Sequence, residues 1–252
     1  MRLGAGLIVL TAMFALVGCG GHKQPGRATS VGPIGKGAAG VWLYRPAGKP
    51  KDLVIYFHGQ GGPTEATPEN HLAWIRHLVA RGSVVVYPRY EMAYEVDPME
   101  YVVAGVRTAT ERADVDGLPV MALGYSRGGA IAVEYGAVAE GNDLPVPGLI
   151  TSIFPAGRGN QDEQIDLTSL DHSTVLVMMI GDQDTVVGQT GASYLSSRLQ
   201  AGGFPGEGIQ LDFVESHGAF RADHFAPLRT SPGARAAFWQ PVDGLLDALD
   251  QS

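Results

Sequence analysis

The stretch Val120-Met121-Ala122-Leu123-Gly124-Tyr125-Ser126-Arg127-Gly128-Gly129-Ala130-Ile131-Ala132 decides how the chain is read. It opens as an apolar run with strand character, turns sharply between Gly124 and Gly128, and resumes as a helix of small residues. Gly-x-Ser-x-Gly between a strand and a helix is the pattern of a nucleophile elbow. The residue types have physical reasons. Ser126 must take a strained backbone conformation at the tip of the turn, which lifts its hydroxyl clear of the sheet. Gly124 and Gly128 have no Cβ atoms, so strand and helix can pass close to one another. The helix N-terminus points amide donors at the space above Ser126.

Outward from the elbow, apolar runs alternate with amphipathic segments. Strands are predicted over 41–46, 53–57, 83–87, 148–154, 174–180 and 209–214. Helices are predicted over 69–81, 98–112, 189–201 and 233–249. Leu53-Val54-Ile55-Tyr56-Phe57 is apolar throughout, as a strand covered on both faces must be. Strands alternating with helices mean a mainly parallel sheet wrapped on both sides. Trp74, Trp239, Met178 and Met179 are read as core.

Composition narrows the function. The formal net charge is −8 over 252 residues, so nucleic acid is not an expected partner. The seven histidines show no zinc-motif spacing, and the single cysteine excludes a thiolate cluster within the chain, so no metal or cofactor is expected. His71 and His77 do not share a helix face and are not read as ligands.

The start reads as a targeting segment. Met1-Arg2 supplies positive charge, and Leu3 to Val17 is an apolar run too short for a comfortable membrane span. Leu16-Val17-Gly18-Cys19 resembles the lipobox of bacterial lipoproteins. That resemblance implies cleavage of the signal 1–18, lipidation of Cys19, and a protein anchored to a membrane of a bacterial cell envelope. The Gly-rich, polar residues 19–40 are expected to be a flexible tether, and 41–252 the folded body.

A serine nucleophile needs a base for its proton and a carboxylate to orient that base. The loop after the predicted strand 174–180 offers Asp182 and Asp184. The loop after 209–214 offers His217 and His224. Both loops leave carboxyl ends of strands, where open parallel sheets build their sites.

The elbow, the His58-Gly59-Gln60-Gly61-Gly62 loop, Gly181-Asp182-Gln183-Asp184-Thr185-Val186-Val187 and Asp223-His224-Phe225-Ala226-Pro227 together resemble the α/β-hydrolase superfamily, over roughly residues 40 to 250. The order serine, acid, histidine along the chain belongs to that superfamily. Its usual Gly-x-x-Asp acid loop implies Asp184 as the acid, with Asp182 the alternative. His-Phe-Ala-Pro is similar to the histidine loop of cutinase-like polyester hydrolases, which implies His224 rather than His217. The oxyanion donors implied are the backbone N–H groups of Gln60 and Arg127. The expectation is a carboxylic-ester hydrolase working through an acyl-enzyme on Ser126, with a small-molecule ester as partner. The alternatives are amide, thioester or lactone cleavage by the same residues, and a lipid-anchored binding protein that kept the fold without the chemistry. Between Phe154 and Thr174 the chain is too short for the large helical lid of some relatives. The chain departs from the polyester hydrolases at Phe154-Pro155-Ala156-Gly157-Arg158, where they usually place a Trp, and it has no cysteine pair.

Overall fold

The computed structural model describes residues 27–61, 64–92, 97–157 and 165–251. The signal segment and Cys19 lie outside them.

Eight strands form one open sheet: β1 (Thr29–Ile34), β2 (Val41–Arg45), β3 (Leu53–Phe57), β4 (Val84–Pro88), β5 (Val120–Tyr125), β6 (Leu149–Ile153), β7 (Val175–Gly181) and β8 (Ile209–Val214). Their order across the sheet is β1-β2-β4-β3-β5-β6-β7-β8. β2 runs antiparallel to β1 and β4, and every other pairing is parallel. The long helices are α1 (Leu72–Arg81), α2 (Met99–Thr110), α3 (Arg127–Ala139) and α4 (Thr190–Ala201). The chain closes with one α turn (α5, Pro232–Ala234), a π-helical stretch at Arg235–Trp239, and α6 (Gln240–Leu249). Ser231 caps this segment, its hydroxyl accepting from the Ala234 N–H.

β5 shows why the central strands are apolar on both faces. Val120 and Ala122 point into the core under α2, α3 and α4, with Val102, Val106, Ile131, Tyr135, Leu195 and Leu199. Met121, Leu123 and Tyr125 point the other way, among Trp74, Ile75, Leu78, Trp239, Val242 and Leu246 from α1 and the C-terminal helix. Trp74, Trp239, Met178 and Met179 are core residues, as expected.

The predicted strands and helices are all present to within a few residues, but the expected tether needs correcting. Thr29–Ile34 is a strand paired with β2, so the folded body begins upstream of residue 41. β1 is an edge strand with five of its six residues exposed, and it lacks the alternation that marks a half-buried strand. Its place is set by a partner, as Gly32 packs so close to Trp42 that a Cβ would stand 2.4 Å from the ring's Cδ1.

Candidate active site

β3, β5, β7 and β8 run parallel and release their loops at one edge of the sheet. At the end of β5, Ser126 stands at φ 56°, ψ −122°, an unusual conformation for a residue with a side chain. Such backbone costs about 1–3 kcal/mol and persists only where surroundings enforce it. Here the Ser126 N–H donates to the Ile153 carbonyl, and the Ser126 carbonyl accepts from the N–H groups of Gly129 and Ala156. The close passage predicted for the glycines is present. A Cβ on Gly124 would stand 2.0 Å from the Gly128 carbonyl oxygen, and one on Gly128 2.3 Å from those of Phe57 and His58.

Of the two carboxylate candidates, Asp184 meets a histidine. Its Oδ2 accepts from His224 Nδ1 at 2.9 Å, while Oδ1 accepts from the N–H groups of Val186 and Val187 at 2.8 and 3.1 Å. His224 Nε2 lies 3.0 Å from Ser126 Oγ. All three residues are buried. Asp182 turns outward to Ser216, whose hydrogen bonds hold its carboxyl below the ordinary value. His217 is paired through its backbone with Phe220.

Three aromatic rings confine the His224 imidazole. The Tyr125 and Phe154 centroids lie 5.2 and 6.0 Å away, and Phe225 stands edge-on at 5.6 Å. The sequence reading assigned none of them a role. Phe154 takes a left-handed turn at φ 48°, for which its own sequence carries no signal.

The glycine-rich loop after β3 lies against the elbow, since a Cβ on Gly59 would stand 3.3 Å from Ser126 Cβ. Gln60 is exposed on this loop, and Arg127 begins α3. The Arg127 guanidinium lies 3.5 Å from the carboxylate of Glu91, which is fully buried. His58 anchors the loop's start, with Nδ1 2.7 Å from the Gly59 carbonyl and Nε2 2.6 Å from that of Arg89. Burial pushes its pKa down to about 4, outweighing the two carbonyl acceptors. Farther along, Glu65 accepts from His71 Nε2 at 2.7 Å and Asn70 Nδ2 at 2.8 Å. Burial raises the Glu65 carboxyl, but the bond and charge of His71 hold it below its ordinary value. On α1, His77 Nε2 lies 2.8 Å from Asp243 Oδ2.

An open, mainly parallel sheet with this elbow, acid loop and histidine loop at one edge decides the architecture. The chain has the α/β-hydrolase fold. Solved structures of that fold superpose over most of its length. An esterase B from Lactobacillus rhamnosis, inhibited by a tributyrin phosphonate, matches with TM-score 0.67 at 15% identity, covering 89% of this chain and 86% of the other. Carboxyl esterase 2 from the mycorrhizal fungus Tuber melanosporum matches at 0.59 and 19% identity, covering 89% and 84%. An α/β-hydrolase enzyme from a Medee basin deep-sea metagenome library matches at 0.61 and 13%, covering 89% and 98%. No protein-family model matches the sequence, and no curated protein does.

Proposed function

We propose that the protein is a serine hydrolase that cleaves carboxylic esters through an acyl-enzyme on Ser126. The observation that carries this reading is the position of His224, with one ring nitrogen 3.0 Å from Ser126 Oγ and the other 2.9 Å from Asp184. In the proposed reaction, Ser126 Oγ attacks the ester carbonyl as His224 Nε2 takes its proton. Asp184 fixes the tautomer that leaves Nε2 free to accept, and it stabilises the imidazolium. The oxygen that gains negative charge is met by the backbone N–H groups of Gln60 and Arg127; losing one such donor typically costs about 10²–10³ in turnover. His224 returns the proton to the leaving alcohol, and water repeats the sequence on the acyl-enzyme. The small-molecule ester substrate is supported by the esterases among the structural neighbours, one holding a phosphonate inhibitor.

Fluorophosphonate labelling tests the reading: the intact protein forms an adduct at Ser126, and Ser126→Ala neither labels nor hydrolyses a short-chain aryl ester. Full activity in Ser126→Ala would overturn it.

The proposal includes attachment to a membrane of a bacterial cell envelope through acyl chains on Cys19, supported by Leu16-Val17-Gly18-Cys19 at the end of the apolar run. Metabolic labelling with a radioactive fatty acid should mark the protein and miss Cys19→Ala. Labelling of that variant would refute the anchor.

A further inference from the structure

We propose that Tyr125 is a positioning residue for this reaction, tying the nucleophile strand to the histidine loop. The proposal rests on the reading of Ser126 and His224 given above. Tyr125 is the last residue of β5, directly before Ser126. Its buried hydroxyl donates to the backbone carbonyl of His224 at 2.9 Å. Its ring is also a floor for two parts of the site. It lies 5.2 Å, centroid to centroid, from the His224 imidazole, and a Cβ on Gly59 would stand 3.0 Å from its Cε1. The nucleophile, the base and the start of the oxyanion loop therefore all register against one side chain.

This matters because His224 sits on an irregular segment between β8 and the C-terminal helix, with no strand ladder to fix its height. Its neighbours have ties of their own. Asp223 accepts from the Phe225 N–H and pairs with Arg229, and the Ala222 carbonyl accepts from Gln183 N–H. The Tyr125 hydrogen bond instead reaches the backbone of the base from the strand that carries the nucleophile. Proton transfer is steep in distance, and a shift of about 1 Å can cost roughly a hundredfold in rate. Burial holds the phenol well above its ordinary pKa, so the hydroxyl stays a donor throughout the working pH range.

The molecule supplies its own control. Tyr135 on α3 is also buried, and its hydroxyl donates to the Pro145 carbonyl at 2.8 Å, away from the site. Tyr125→Phe and Tyr135→Phe each delete one oxygen and orphan one carbonyl, so both should lower the melting temperature by similar amounts. Only Tyr125→Phe is expected to lower kcat, by about tenfold or more at nearly unchanged KM, and to slow fluorophosphonate labelling of Ser126 in parallel. Tyr125→4-aminophenylalanine, which restores a donor, should recover the rate. If Tyr125→Phe folds poorly, Tyr125→4-fluorophenylalanine fills the same space without a donor and is read the same way. Turnover of the donor-less variant within about twofold of Tyr135→Phe overturns the proposal. Ser126→Ala in the same assay keeps the two claims apart. If it is inactive while the donor-less variant works normally, only the role of Tyr125 falls; if it is fully active, the proposed function itself falls.

Discussion

Ser216 commits Asp182. Its backbone N–H and hydroxyl both donate to that carboxylate, at 3.0 and 2.5 Å, across the ends of β7 and β8. Two residues farther on, Asp184 is buried and spends its oxygens on His224 and two backbone N–H groups. The carboxylates are alike in sequence, and their surroundings separate them.

The first prediction follows from that contrast. Asp184→Asn should lower kcat by about 10⁴, because an amide in place of the carboxylate favours the wrong imidazole tautomer. Asp182→Asn weakens only a solvent-facing contact and should leave kcat within about threefold of the parent. Steady-state kinetics of both variants on one aryl ester provide the check. Equal losses would mean that the acid has been misassigned.

The glycines of the elbow give a prediction about stability. Gly128→Ala would place a Cβ 2.3 Å from two backbone carbonyl oxygens of the neighbouring strand end, and backbone cannot rotate aside as a side chain can. The expected loss is about 3 kcal/mol or more, the upper end for overpacking. Gly141→Ala is the control, since its Cβ would meet nothing within 4 Å, and it should change stability by no more than about 0.5 kcal/mol. Urea unfolding curves of the two variants decide, and similar midpoints would contradict the close-passage explanation.

The elbow, the alternation of strands and helices, and the glycine loop were legible because each is a local pattern with a local cause. Gly124 and Gly128 are needed wherever a strand turns back tightly over a helix, and the uniform apolarity of β3 follows from two covered faces. β1 was not legible, because Thr29–Ile34 contains Gly and Pro and pairs with β2 at the edge of the sheet. The choice between Asp182 and Asp184 came from a family resemblance, while the physical difference lies in partners distant along the chain, Ser216 for one and His224 for the other. Tyr125 was visible as a letter inside the motif. Its contacts with His224 and Gly59 exist only once three loops meet, so no periodicity could announce them.

His58 sets a pH dependence of stability. Its folded pKa, pushed down to about 4 by burial, lies below the ordinary value of 6.5. Between those values the unfolded chain binds the extra proton, so stability rises with pH across the window. The contribution is fully present above about pH 6.5 and is lost as pH falls towards 4. Glu65, held below its ordinary value by His71 against the opposing effect of burial, adds a separate loss at lower pH. Urea midpoints measured from pH 7.5 to 4 should fall steeply for the parent and less for His58→Gln. Parallel curves would rule out His58 as the source.

Phe225 gives a prediction about substrate preference. Its ring stands edge-on to the His224 imidazole at 5.6 Å and is 58% exposed, so it offers apolar surface at the mouth of the site. Phe213 on β8 is 60% exposed and follows the chemistry at no point, which makes it the natural comparison. An acyl or alcohol chain covering the Phe225 ring would gain roughly 1.5 kcal/mol, about tenfold in kcat/KM. Phe225→Ala should therefore lower kcat/KM about tenfold for hexanoyl and octanoyl esters and much less for the acetyl ester, which has little apolar surface to bury. Phe213→Ala should leave the whole series unchanged. If Phe225→Ala lowers all chain lengths equally, the ring acts by confining the imidazole; if it lowers none, the ester binds elsewhere on the rim.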